Sequence, residues 1–148
     1  MRRRVARALV VLGCCGALLS ACGAQSELSA MKSWVKNSAY VANNATLISD
    51  AKHSATVLDN IRLPASELHT VCAVMFTESL QANSALPSPD DLANRLLAKA
   101  YGNLGAGANV CYAAGASTTK RRRALGYLSK GVGQLAEASA RIASDLSD

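Results

Sequence analysis

The sequence predicts an all-α fold: an up-down-up-down four-helix bundle with one disulfide, preceded by a cleaved signal peptide. Three observations carry that expectation. Half of the residues are hydrophobic but only 4% are aromatic, so the apolar content is mostly Ala, Leu and Val. Ala and Leu favour helices, and strand-forming residues are too sparse for a sheet. Beyond about residue 27, apolar side chains recur at steps near three and four, the spacing of one helix face. Proline- and glycine-rich breaks then divide that pattern into four stretches.

The chain opens with a leader. Arg2, Arg3, Arg4 and Arg7 form a positive n-region, and Val5 to Leu19 is an apolar h-region interrupted only by Arg7. It is shorter than the roughly 20 apolar residues of a comfortable membrane span. It ends in Leu19-Ser20-Ala21-Cys22, which resembles the lipobox of bacterial lipoproteins. The resemblance implies cleavage before Cys22 and a diacylglyceryl group on its thiol. Residues 1–21 would then be the signal peptide, 22–28 a lipid-bearing N-terminus with a short tether, and 29–148 the bundle domain. Two acyl chains suffice for stable anchoring. The implied localisation is the extracytoplasmic face of the cell membrane, with membrane lipid the first partner through the Cys22 anchor. The formal charge of +6 depends on the leader: without its four arginines, 12 basic residues face 10 acidic ones. A nucleic-acid partner is therefore not expected.

The first helical stretch runs from about residue 27 to 62, with Leu28, Met31, Trp34, Val35, Val41, Ala45, Ile48, Ala51, Leu58 and Ile61 on its apolar or small-residue face. Asn43 and Asn44 are the expected kink, and Pro64 the terminator. Trp34 suits either the membrane interface or the core. The second stretch starts at Pro64, carries Leu68, Val71, Cys72, Met75, Phe76 and Leu80, and fades near Asn83. Ala85 to Pro89 reads as extended.

The third stretch starts at Ser88 as N-cap and Pro89 as first residue, with Asp90 and Asp91 at the positive helix end. It carries Leu92, Leu96, Leu97, Tyr101, Leu104, Val110 and Cys111, and is diluted by Gly102, Gly105 and Gly107. The fourth begins after the Gly115–Thr119 turn. Its face is Leu125, Leu128, Val132, Leu135, Ser139, Ile142 and Leu146, a heptad seam. Short connections between four such helices favour the up-down-up-down order.

Export makes oxidation available to Cys72 and Cys111, so these two are expected to form a disulfide. That bond constrains the third stretch. A tight turn near residue 86 would leave Cys111 roughly 16 Å from the level of Cys72, beyond the Cα separation of about 7 Å that a disulfide tolerates. Either the chain breaks at Gly102–Gly107 and doubles back, or residues 83–88 run extended and the helix continues to Cys111. The second arrangement is adopted, with the small residues as helix contacts.

Little in the chain points to catalysis. There is no phosphate loop, dinucleotide fingerprint or nucleophile elbow, and no enzyme activity, cofactor or metal is expected. His53 and His69, with Asp59 or Glu67, match no metal-ligand spacing. Lys120, Arg121, Arg122 and Arg123 form a charge run that could contact an envelope protein or an anionic wall polymer; its plainer reading is a solvated helix start. Leu86-Pro87-Ser88-Pro89-Asp90 and the small-residue helix after it are similar to small helical envelope lipoproteins of high-GC Gram-positive bacteria, a likeness that implies no particular activity. The function expected is that of an interaction or structural protein of the envelope. The alternative is a carrier of small apolar ligands or lipids, with a cavity inside the bundle.

Overall fold

A computed structural model describes residues 27–147. The leader, Leu19–Cys22 and the first part of the tether lie outside the described residues. Five helices follow one another: α1 over 27–37, then α2 (Tyr40–Asp59), α3 (Ala65–Ser84), α4 (Asp91–Tyr112) and α5 (Thr118–Ser147). The all-α expectation holds, and no strand occurs among the described residues. The count of four does not hold, because the expected first helix is two.

The division falls at Ser38–Ala39, ahead of the expected Asn43–Asn44. Ala39 adopts the left-handed conformation (φ 49°, ψ 33°), which ends α1 as a C-terminal αL residue does. Ser38 donates its backbone N–H and its hydroxyl to the Trp34 carbonyl (2.9 and 2.7 Å). Asn43 Nδ2 donates to the Ser38 carbonyl (2.9 Å), satisfying a group the broken helix would otherwise orphan. Asn43 thus takes part in the break, one turn beyond it. Trp34 fixes α1 to the assembly by donating from Nε1 to the Ala85 carbonyl (3.0 Å) and packing on the Tyr40 ring (5.2 Å).

Helices α2 to α5 alternate in direction. At one end, hereafter the near end, Arg141 of α5 meets Asp90 at the start of α4 and Tyr40 of α2 meets Ser139 of α5. At the far end, Arg121 of α5 meets Val57 and Leu58 of α2. Cys72 and Cys111 are bonded, with Cα atoms 5.8 Å apart. Helix α4 runs unbroken to Tyr112, so the chain does not double back at Gly102–Gly107; the link is shorter than the expected 83–88, because α3 continues to Ser84 and Ala85 is still helical in conformation. Two caps differ from expectation. Pro64 is the N-cap of α3, not its first residue. Asp90, not Ser88, caps α4, accepting from the Ala93 N–H at 2.6 Å. Ser88 instead braces the link, its N–H donating to Asn94 Oδ1 and its hydroxyl to the Asp90 carbonyl.

The α4–α5 contact uses reciprocal large and small residues. Ala93, Leu97, Ala100, Leu104, Gly107 and Cys111 are buried on α4; Ala124, Leu128, Gly131, Leu135, Ala138 and Ile142 are buried on α5. A Cβ on Gly131 would lie 2.6 Å from Leu104 Cγ, and one on Gly107 would lie 2.9 Å from Leu128 Cδ2. Each leucine fills the space its facing glycine leaves. The seam expected on α5 keeps Leu128, Leu135 and Ile142, but the intervening buried positions are Ala124, Gly131 and Ala138; Leu125, Val132 and Ser139 flank them. Ridges made of small residues let helix axes approach closely.

Candidate functional site

The basic run divides. Arg121 is only 4% exposed. Its Nη1 donates to the carbonyls of Leu58 (2.8 Å), Asn60 (3.0 Å) and Val57 (3.4 Å), and its Nε to Gly115 (2.7 Å). These include the last carbonyls of α2, which have no partner within the helix. Lys120 Nζ donates to Ala113, just past the end of α4 (3.2 Å). A cation at the start of α5 opposes that helix's own dipole. In an antiparallel neighbourhood the same position lies beside the negative ends of α2 and α4, where a cation is stabilising. Arg121 therefore leaves the expected partner-facing set and acts as an internal cap. Arg122 and Arg123 remain exposed, and Arg123 lies over the Tyr127 ring at 5.7 Å.

The histidines do not converge. His69 stacks on Tyr112 (4.4 Å between centroids) and His53 is exposed. Among the described residues, no group of three His, Cys, Asp or Glu is placed to hold a metal ion. No described helix is long and apolar enough to cross a membrane.

A concave surface lies at the near end, between α2 and α5 with the last turn of α1 at its rim. It is a groove of about 360 Å³. The α2 wall carries Val41, Ala45 and Ile48, and the α5 wall carries Ile142, Ala143 and Leu146. Val41 is 69% exposed. The polar members are Tyr40, Asn44 and Ser139. The Tyr40 and Ser139 hydroxyls bond each other at 3.0 Å. Asn44 is 5% exposed, and its Oδ1 accepts from the Tyr101 hydroxyl at 3.0 Å. Burial holds the Tyr101 phenol well above its ordinary value, so that hydroxyl stays a donor. Asn44 Nδ2 is buried and has no hydrogen-bond partner.

The origin of the groove is visible in the helix faces. The buried line of α2 is Tyr40, Asn44, Leu47, Ala51 and Ser54. Val41, Ala45 and Ile48 lie one position beyond it. On α5, Leu146 extends the apolar face past the buried line in the same way. Both helices are more apolar than their core contact requires, and the surplus edges face each other. The periodicity identifies most of these residues as apolar-face residues. It misses the groove because it assigns them to the core. Asn44 and Ser139 give no sequence signal beyond being polar on an apolar face.

No protein-family model, curated protein or solved structure matches the chain. The groove and the far end have to be interpreted from their own chemistry.

A second polar contact lies between α2 and α3. The Glu78 carboxyl is pushed up to about 7, first by burial and then by its hydrogen bond to, and repulsion from, Asp50. At the near end, the hydrogen bond from Arg141 holds the Asp90 carboxyl below its usual range. Arg141 also pairs with Asp145 one turn on (3.0 Å).

Proposed function

We propose that this protein is an extracytoplasmic envelope lipoprotein, anchored by diacylglyceryl-Cys22, that works by binding and uses the near-end groove as its working surface. The observation that carries this reading is the position of the groove. It lies at the end of the molecule to which Trp34 pins α1, the described helix nearest to Cys22 in the sequence. Four residues lie between Cys22 and Glu27, so at most about 17 Å of chain, followed by the 27–37 helix, separates the anchor from the groove. The groove would then open within reach of the bilayer. Its volume of about 360 Å³ falls in the roughly 300–1,000 Å³ range of small-molecule sites. The bundle interior is filled along its length by Leu47, Leu58, Leu68, Met75, Leu97 and Leu104. An apolar ligand would therefore sit on the flank, between helices, and not inside a hollow bundle. The α2–α5 helices form the up-down-up-down unit, with α1 as the arm that joins it to the anchor.

The test uses full-length protein expressed in its own envelope and recovered in mild detergent. Denaturing mass spectrometry is expected to find a chain beginning at Cys22 with a diacylglyceryl adduct. Native spectra are expected to add a noncovalent apolar adduct that Ala143→Trp, which fills the groove from its exposed rim, removes. An unmodified N-terminus rejects the anchor, and an adduct indifferent to Ala143→Trp rejects the groove.

A second reading keeps the far end in play. Exposed Arg122 and Arg123 sit opposite the anchor, where an envelope protein or anionic wall polymer would meet them. Crosslinking in native membranes tests it: partners retained by Arg122→Ala/Arg123→Ala leave this end a solvated helix start.

A further inference from the structure

The positive charge of the chain beyond the leader is gathered at the far end. Residues 22–148 hold 12 basic and 10 acidic side chains. Arg62, Lys120, Arg121, Arg122 and Arg123 lie at the far end with Asp59 and Glu67, and the seven basic residues elsewhere are outnumbered by eight acidic ones. The whole excess therefore sits at one pole, where it raises the local potential toward anions. Arg62, Lys120, Arg122 and Arg123 are exposed. Among the described cations, Arg141 at the near end is the one that forms ion pairs, so no carboxylate neutralises these four. Arg121 ties their two segments together. Its Nη1 donates to the Asn60 carbonyl (3.0 Å), and the Asn60 side chain accepts from the Arg62 N–H (3.1 Å). The loop bearing Arg62 is thereby fixed against the start of α5, which bears Arg122 and Arg123.

We infer that the far end binds a linear polymer with phosphate groups repeated along its backbone, through Arg62, Lys120, Arg122 and Arg123. A guanidinium fork matches the free oxygens of a phosphate. Each exposed cation gains little from a single ion pair in water. Affinity then has to come from several contacts at once and from the counter-ions that a densely charged backbone releases. A protein partner fits this surface less well, because the core of a protein interface is depleted of charge and anchored by apolar and aromatic side chains. The large exposed apolar side chains at this end are Ile61 and Tyr112, and one face of the Tyr112 ring is already stacked on His69. This inference rests on the reading of the far end as a contact surface; it adds the chemistry of the partner and needs neither the groove nor the anchor.

The experiment measures binding of the full-length protein, in an uncharged detergent, to immobilised long-chain inorganic polyphosphate over a range of salt concentrations. Arg62→Ala/Arg122→Ala/Arg123→Ala should weaken binding at least about tenfold and flatten the slope of log affinity against log salt by roughly two, near 0.7 for each cation removed. Lys52→Ala/Lys99→Ala/Lys130→Ala removes the same net charge from exposed positions away from the far end and should stay within about twofold of the parent, as contacts to a polyanion are local. Both sets replace exposed side chains, and thermal melts confirm that each variant is folded. Equal losses from the two sets, or none from the arginine set, overturn the site. Poly-glutamate competing as well as polyphosphate overturns the phosphate backbone. Phosphatidylglycerol dispersed in the same detergent, competing as well at equal phosphate, makes the partner a lipid surface and overturns the polymer. Crosslinks in native membranes that depend on Arg122 and Arg123 in a protein that ignores polyphosphate keep the far end as a contact surface but overturn this partner.

Discussion

Arg121 shows how a residue's neighbours decide its role. Within the sequence it is the second of four consecutive cations; within the fold it is the C-terminal cap of a helix 60 positions earlier. Its planar fork reaches four carbonyls on two segments, which a lysine ammonium on a flexible stem cannot reproduce. Arg121→Ala leaves the buried Leu58 carbonyl without its donor, at about 1–3 kcal/mol, while Val57 and Asn60 keep backbone N–H partners. Arg121→Lys should lose a smaller amount, and Arg122→Ala should stay within about 0.5 kcal/mol of the parent. Urea unfolding of the three variants checks this; equal effects at 121 and 122 would contradict the cap. Ala39 gives a second prediction of opposite sign. A left-handed alanine costs roughly 1–2 kcal/mol, so Ala39→Gly should stabilise the chain by up to about that amount, less the extra entropy glycine has when unfolded.

Glu78 sets a pH dependence at the same scale. Its folded pKa, about 7, lies above the ordinary value of 4.5 for a glutamate. Between those values the folded chain holds more protons than the unfolded one, so stability falls as pH rises through that window and levels off above it. Glu78→Gln should flatten this part of the profile and raise the melting temperature at pH 8 relative to the parent. An unchanged slope between pH 5 and 7 would show that Glu78 is not the group responsible. The Asp90–Arg141 pair acts at lower pH. Because the Asp90 pKa is depressed, its contribution is present above the ordinary aspartate value and is lost as pH falls below it.

At the scale of the element, α4 and α5 make a direct comparison between helix propensity and packing. Gly131 faces Leu104 at distances no real Cβ tolerates, whereas Gly133, two residues on, has open space around it. Both replacements by alanine gain roughly 1 kcal/mol of helix propensity. Gly133→Ala should keep that gain. Gly131→Ala also overpacks the contact, at about 1–3 kcal/mol, and the Ala100 carbonyl lies within 3.1 Å as well, so its net effect should be destabilising. Thermal melts of the pair separate the two terms by their sign. The Cys72–Cys111 bond, 39 positions apart, contributes about 4 kcal/mol on the loop-entropy account. A Cys72→Ala/Cys111→Ala chain should melt well below the parent.

These elements also show what the sequence could reveal. The steps of three and four identified α3, α4 and α5 and read α1 and α2 as one helix, and the reach of a disulfide selected the continuous α4 over a broken one. Both are local or covalent constraints. The α1–α2 break was displaced because its agent is an ordinary alanine in a left-handed conformation, held by Ser38 and Asn43; alanine carries no turn signal. The α5 seam was drawn one position to the side because leucine and valine mark burial more strongly than glycine and alanine. In this molecule close approach favours the small residues, and the larger ones flank it. The groove was missed for the same reason. Val41 and Ile48 are read as core by hydrophobicity, and only the packing of α2 against α5 leaves them at an opening.

For the whole molecule, the two ends have different chemistry. The far end is closed by Arg121 and rimmed by exposed arginines. The near end holds Trp34, the Asp90–Arg141 pair and the apolar groove. If Cys22 anchors the chain, this polarity becomes an orientation: groove toward the bilayer, arginines toward the rest of the envelope. Hydrogen–deuterium exchange of the lipidated protein, in vesicles and in dilute detergent, tests that orientation most directly. The account predicts added protection on the vesicle for peptides from α1, residues 40–48 and residues 139–146, with peptides around 118–125 unchanged. Protection concentrated at 118–125, or none at the near end, would contradict it.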